Sequence, residues 1–299
     1  MNIYIMSRGR AGKVSTLKWI PKAWRNRVVL VVPRAEVLDY YEKDLGGIRY
    51  DGTGPQVLFG PETVTNYSQK FQWILDGLPG RLDYEKHKQD KAVIIDDDLV
   101  FSSRSDPLAP NSLISIKDPE ATVDMWAGIE TLLEEYALVG VHPRQMGQHA
   151  ARPYVLNGRI ICLQGVNRSK IGHVKVDQFP ILADVVLNCT ILARGRANAI
   201  LTTFFQDHGP CQANGGCSIY RTHEMQREAV TYLATRFPGF VKVVPRKTKD
   251  KWLANEQGVR YDYTCQWKQL YAAGRAHVLD PGKVPNPDKE AAGASQAVE

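Results

Sequence analysis

Along the first hundred residues the apolar positions keep two rhythms. Unbroken runs such as NIYIM, VVLVVP, QVLF and AVII have the length and β-branched content of buried strands. Between them apolar residues recur every three or four positions, first at Val14, Leu17, Ile20 and Trp24. A short helix near 36–45 then carries Val37, Tyr40 and Tyr41, and a further helix beginning near Glu62 carries Val64, Tyr67, Phe71, Ile74 and Leu78. Apolar strands alternating with amphipathic helices predict an α/β fold with a mostly parallel, mixed sheet and helices on both faces. Ligands of such sheets bind beyond the carboxyl ends of the strands. Ser7–Arg10 and Asp96–Asp98 both fall at such ends.

The second half mixes its signals. Asp118-Pro119 opens a helix with Val123, Trp126, Leu133 and Tyr136 on its inner face. PYVLNGRIICL predicts a hairpin turning at Asn157-Gly158. A helix over about 222–236 follows a glycine-rich loop. Beyond Asp280 almost nothing is apolar, so a disordered tail is expected over 280–299.

Composition narrows the partners. The 299 residues carry a formal charge of +6 and a pI near 9.0, which leans toward anionic partners such as nucleotides or nucleic acid. No apolar run reaches the roughly 20 residues of a membrane helix, and the N-terminus lacks a signal-peptide pattern, so a soluble, cytoplasmic protein is expected. Five scattered cysteines suit a reducing compartment.

The run KAVIIDDDLVF sets Asp96, Asp97 and Asp98 at the end of a buried strand. Carboxylates this close repel, and burial is costly unless a divalent cation, a basic substrate or local Lys and Arg compensate. The three can form a solvated acidic turn. Asp96, Asp98 and Val100 also fit the D-x-D-x-[TV] of haloacid-dehalogenase phosphatases, but that motif sits on a first strand and needs a later Lys and a second acidic pair. Asp96 and Asp98 fit equally the DxD of metal-dependent glycosyltransferases, where hard oxygen ligands hold Mn²⁺ or Mg²⁺ against a nucleotide diphosphate. SRGRAGKVST fails as a phosphate loop on its glycine spacing, leaving Arg8, Arg10 and Lys13 as a basic cluster. Lys70 shares a polar helix face with Asn66. His208 ends an apolar strand and can complete an Asp-bound metal site, whereas Cys211, Cys217, His208 and His223 lack the close pairing of common zinc sites.

Taken in order, IYIMSRGRA, NYSQKFQWIL, VIIDDDLVF and FPILADVVLNCTILARG resemble glycosyltransferases of the GT-A fold. Within that group they are most similar to the phage and TET-associated enzymes that glycosylate hydroxymethylated pyrimidines in DNA. The resemblance runs over about residues 2–245. It implies one Rossmann-like GT-A domain over 1–279, with 1–105 holding the nucleotide sugar and 106–279 the acceptor. It implies Mn²⁺ or Mg²⁺ on Asp96, Asp98 and His208, and a nucleotide-sugar donor, a UDP-sugar, held by Ser7, Arg8, Arg10, Lys70, Asp96 and Asp97. Asp184 corresponds to the second member of an acidic pair near the acceptor and is the candidate base, with Ala183 standing where the first acid is expected. DNA is the implied acceptor, gripped by the basic segment Lys242–Trp252, which is expected to be a loop after the strand FVKVV. The location would be the cytoplasm, that of the bacterial host for a phage protein. Transfer to a saccharide, protein or small molecule, and a nucleotidyltransferase or phosphatase using the same aspartates, stay open beside this reading.

Overall fold

The computed structural model describes residues 1–47, 54–79, 89–106, 112–145, 152–208, 215–248 and 254–289. Ten of the described strands form one sheet: β1 (Asn2–Met6), β2 (Val28–Val32), β3 (Gln56–Phe59), β4 (Lys91–Asp96), β5 (Leu99–Arg104), β6 (Leu113–Ser115), β7 (Leu138–Pro143), β8 (Tyr154–Leu156), β9 (Leu163–Asn167) and β10 (Asn198–His208). Their spatial order is β3-β2-β1-β4-β9-β7-β10-β5-β6, with β8 also paired to β10. β1 to β4, β6, β7 and β10 run one way, while β5, β8 and β9 oppose them. The expected α/β class with a mostly parallel mixed sheet is what the chain adopts.

Side chains alternate across a strand, and here both faces are buried. Ile3 and Ile5 of β1, Val28, Leu30 and Val32 of β2, and Val93 and Ile95 of β4 pack with helices α1 (Val37–Lys43) and α3 (Val123–Leu132). Tyr4, Val29, Val31, Ala92 and Ile94 face the other way, toward α2 (Tyr67–Leu75), α4 (Ala183–Ala193), α5 (His223–Arg236) and α6 (Trp267–Leu279). α4 and α6 touch through their backbones: a Cβ on Gly274 would lie 2.3 Å from the carbonyl oxygen of Ala193. Only glycine permits that crossing.

Several expectations are corrected. The 14–24 periodicity forms two short 3₁₀ turns, Ser15–Trp19 and Lys22–Arg27, because Pro21 lies between them. α2 starts at Tyr67, five residues later than expected from Glu62, where Asn66 accepts from the Gln69 amide and caps the helix. The runs around Asn157-Gly158 do not make a hairpin: β8 pairs with β10, and β9 with β4 and β7. The strand begun at FVKVV, which holds Lys242, runs on as β11 (Val241–Lys247), paired with β12 (Val259–Cys265), so that Arg246 and Lys247 lie on a strand rather than on a loop; Lys249, Lys251 and Trp252 fall outside the described residues. Residues 280–289 are not a free tail. Asp288 is fully buried and meets Arg236 at 3.0 and 3.2 Å, while Arg236 also donates to Thr190 and Tyr232.

Candidate active site

Parallel pairing brings Met6 of β1 beside Asp96 of β4, so the loop after β1 and the aspartate turn share one sheet edge. Thr16 straps that turn. Its hydroxyl donates to the Asp96 carbonyl at 2.7 Å and accepts the Leu99 amide at 2.9 Å, and its own amide reaches the Asp97 carbonyl at 3.2 Å. Asp97 is buried and accepts hydrogen bonds from the Ser7 hydroxyl and the Arg10 guanidinium. Ser7 also shares a 2.6 Å hydrogen bond with the Tyr40 hydroxyl. The same guanidinium pairs with Asp98 at 2.9 Å. A local arginine therefore compensates two of the three aspartates. Gly215 lets it do so: at φ 109° its missing Cβ would fall 2.5 Å from Arg10 Cγ.

Asp96 has no such partner. Burial, followed by the charges of Asp98, Asp184 and Asp97, pushes its carboxyl well above the usual range, opposed by a hydrogen bond from the Cys162 thiol. Asp184 enters from the first turn of α4, where its carboxylate accepts its own amide and that of Val185. Burial raises its pKa, and the charges of Arg159 and Arg221 act against that rise. Cys162 (φ 62°) and Leu182 (φ 69°) are both held in the left-handed region that non-glycine residues seldom occupy. Both line one cavity of about 250 Å³ with Asp96, Asp98, Asp184, His208 and Arg221. Strained backbone of this kind gathers at functional sites.

A second cavity of about 280 Å³ shares Met6, Tyr67, Gly216 and Cys217 with the first, which makes a two-lobed cleft. Arg8 lines it, donating to the Thr65 carbonyl at 2.6 Å with its guanidinium 5.6 Å from the centre of the Tyr220 ring. Lys70 lies at its floor, donating to the Ser7 and Val31 carbonyls at 2.8 and 3.1 Å. Burial pulls the Lys70 pKa down to about 8, against the opposite pull of Asp97. Those two carbonyls take two of the ammonium's three donors.

Arg8 and Lys70 thus face one lobe, while Arg10, Asp96, Asp98, Asp184 and His208 face the other. The Ser7 hydroxyl and the Asp97 carboxylate are occupied by each other and by neighbours, and act as supports. Among the described residues no three His, Cys, Asp or Glu side chains gather into a ready-made coordination set. Magnesium and manganese at nucleotide sites take only one or two carboxylates, with phosphate and water oxygens completing the shell. Asp96, raised by burial and then by the charges of Asp98, Asp184 and Asp97, and Asp98, which Arg10 already meets at 2.9 Å, are the two carboxylates that would hold such a cation. Cys162, Tyr67, Tyr220 and Arg221 line the cleft without any motif to announce them. Compared with protein-family models and with curated proteins, the chain has no match. No described helix is long and apolar enough to cross a membrane.

Proposed function

We propose that the protein is a metal-dependent glycosyltransferase of GT-A type that moves a sugar from a UDP-sugar to a hydroxyl on a hydroxymethylated pyrimidine in DNA. One observation carries the reading: a lobe bearing Arg8, Tyr220 and Lys70 opens directly into a lobe bearing Asp96, Asp98 and Asp184. The first suits a nucleotide, with an aromatic ring and cations beside its phosphates. The second suits a sugar and an attacking hydroxyl. Mn²⁺ or Mg²⁺ on Asp96 and Asp98 would neutralise charge on the departing diphosphate. Lys70 adds a donor aimed at the same phosphates. Asp184, whose raised pKa makes it a better proton acceptor than an ordinary aspartate, removes the proton of the acceptor hydroxyl. The DNA acceptor is supported by the order of sequence motifs and by the formal charge of +6.

A second reading draws on Arg10. Its guanidinium already sits between Asp97 and Asp98, so it can serve as the cation in a transfer that needs no metal. The test is incubation with radiolabelled nucleotide sugars and Mn²⁺, with and without hydroxymethylated DNA, followed by chelation. Label in DNA that disappears with chelator supports the first reading, and label that survives chelation supports the second. No donor hydrolysis and no transfer with any sugar overturns both.

A further inference from the structure

Away from the cleft lies a groove of about 1020 Å³, between β8 and the start of α6. Among the described residues its charged lining is one-sided: Arg152, Arg159 and Lys268 contribute cations, and no described Asp or Glu lines it. His142 completes the polar wall, held neutral near pH 7 because burial lowers its pKa. Two aromatic rings, Tyr154 and Trp267, stand among these cations, each partly exposed. Cations that follow a phosphate backbone, interleaved with rings on which bases stack, are the two elements of single-strand nucleic-acid binding. An acidic peptide would use the cations and leave the rings idle.

Arg159 ties the groove to the cleft. It lines the groove, its charge is felt by Asp184, and its buried Nε has no hydrogen-bond partner. A buried donor left unsatisfied is costly, and an incoming acceptor oxygen would relieve it.

We infer that this groove binds a single nucleic-acid strand and leads it toward Asp184. The inference deepens the proposed function and rests on it for naming the strand as the acceptor. The groove's charge and rings stand independently of it. β12 leads directly into α6, whose first residues line the groove.

The test is fluorescence anisotropy of a labelled single-stranded DNA oligonucleotide across a salt series. Arg152→Glu combined with Lys268→Glu alters two exposed side chains and should leave the melting temperature unchanged. Affinity is expected to fall at least tenfold. The slope of log affinity against log salt should flatten by about 1.4, from about 0.7 for each lost phosphate contact on a single strand. Arg159→Gln, which keeps a donor but no charge, should weaken binding less. An unchanged affinity and slope in the double variant overturns the inference, as does polyglutamate competing as well as the oligonucleotide. Donor hydrolysis, measured in parallel, separates the two claims. Hydrolysis without strand binding removes the groove and keeps the active site, and strand binding without hydrolysis of any donor does the reverse.

Discussion

If a diphosphate binds beside Lys70, its affinity must carry the titration of that lysine. Burial holds the amine at a pKa of about 8 in the folded protein, against 10.5 for an unperturbed lysine. Between those two values the unfolded chain holds the extra proton, so the ligand-free protein gains stability as pH rises through the window. At about 1.36 kcal/mol per pK unit the gain is about 3 kcal/mol, and below pH 8 the buried ammonium is a standing cost of that size. Ligand binding has the opposite sense, because the diphosphate prefers the ammonium. The competent fraction is near one at pH 7, one half at pH 8 and about one tenth at pH 9, so UDP should bind roughly tenfold more weakly at pH 9 than at pH 7. Calorimetry in two buffers of different ionisation enthalpy should detect proton uptake on binding that sets in near pH 8 and is larger at pH 9. Lys70→Met should abolish the uptake and lose a charge-assisted hydrogen bond, about 1.5–3 kcal/mol or roughly 10- to 150-fold in affinity. A wild-type affinity flat from pH 7 to 9, with Lys70→Met binding equally well, would reduce Lys70 to a strut under β1 and β2.

Asp96→Asn should end transfer and Mn²⁺ binding while the ligand-free protein loses no stability at pH 8. A raised carboxyl pKa means that stability falls as pH climbs from the unfolded value to the folded one, and the amide escapes that loss; urea unfolding showing a loss above about 1 kcal/mol would contradict this. Asp184→Asn should lower kcat sharply and leave the donor Kd in place, because a base acts on the acceptor; equal losses in both would make Asp184 a donor contact. Asp288→Ala strands the buried Arg236 and should cost about 3–5 kcal/mol in urea unfolding. A cost below about 1 kcal/mol would show that residues 280–289 do not anchor the fold.

The strands β1 to β4 were legible because burial on both faces leaves unbroken apolar runs, a signal that survives without context. The helix at 67–75 was legible in kind but not in onset, since Val64 keeps the helical period while Asn66 captures the cap. Asn157-Gly158 misled for a tertiary reason. Asn198 accepts the Gly158 amide at 3.0 Å and donates to its carbonyl at 2.8 Å, so the turn is spent on joining two separated strand pairs. Asp288 could not be foreseen, because composition registers a polar, Pro-rich segment and not the arginine waiting for it. At the site, the acidic turn is visible in the sequence and Asp184 enters only through the resemblance, whereas Arg10 as counter-ion of Asp97 and Asp98 depends on β1 and β4 being sheet neighbours. Cys162 reaches the cavity through an unusual backbone angle, which no residue pattern encodes.

The glycine crossing of α4 and α6 gives the molecule a lever. α4 is a stiff rod about 16 Å long at 1.5 Å per residue, with Asp184 at one end and the Gly274 contact at the other. α6 carries Trp267 and Lys268 one end away from the same fulcrum. A single methyl group at Gly274 must tilt one rod against the other, and a tilt at the pivot becomes a displacement at the tips. Gly274→Ala would therefore misalign acid and groove wall without touching any group that meets a ligand, a purely geometric means of detuning the protein.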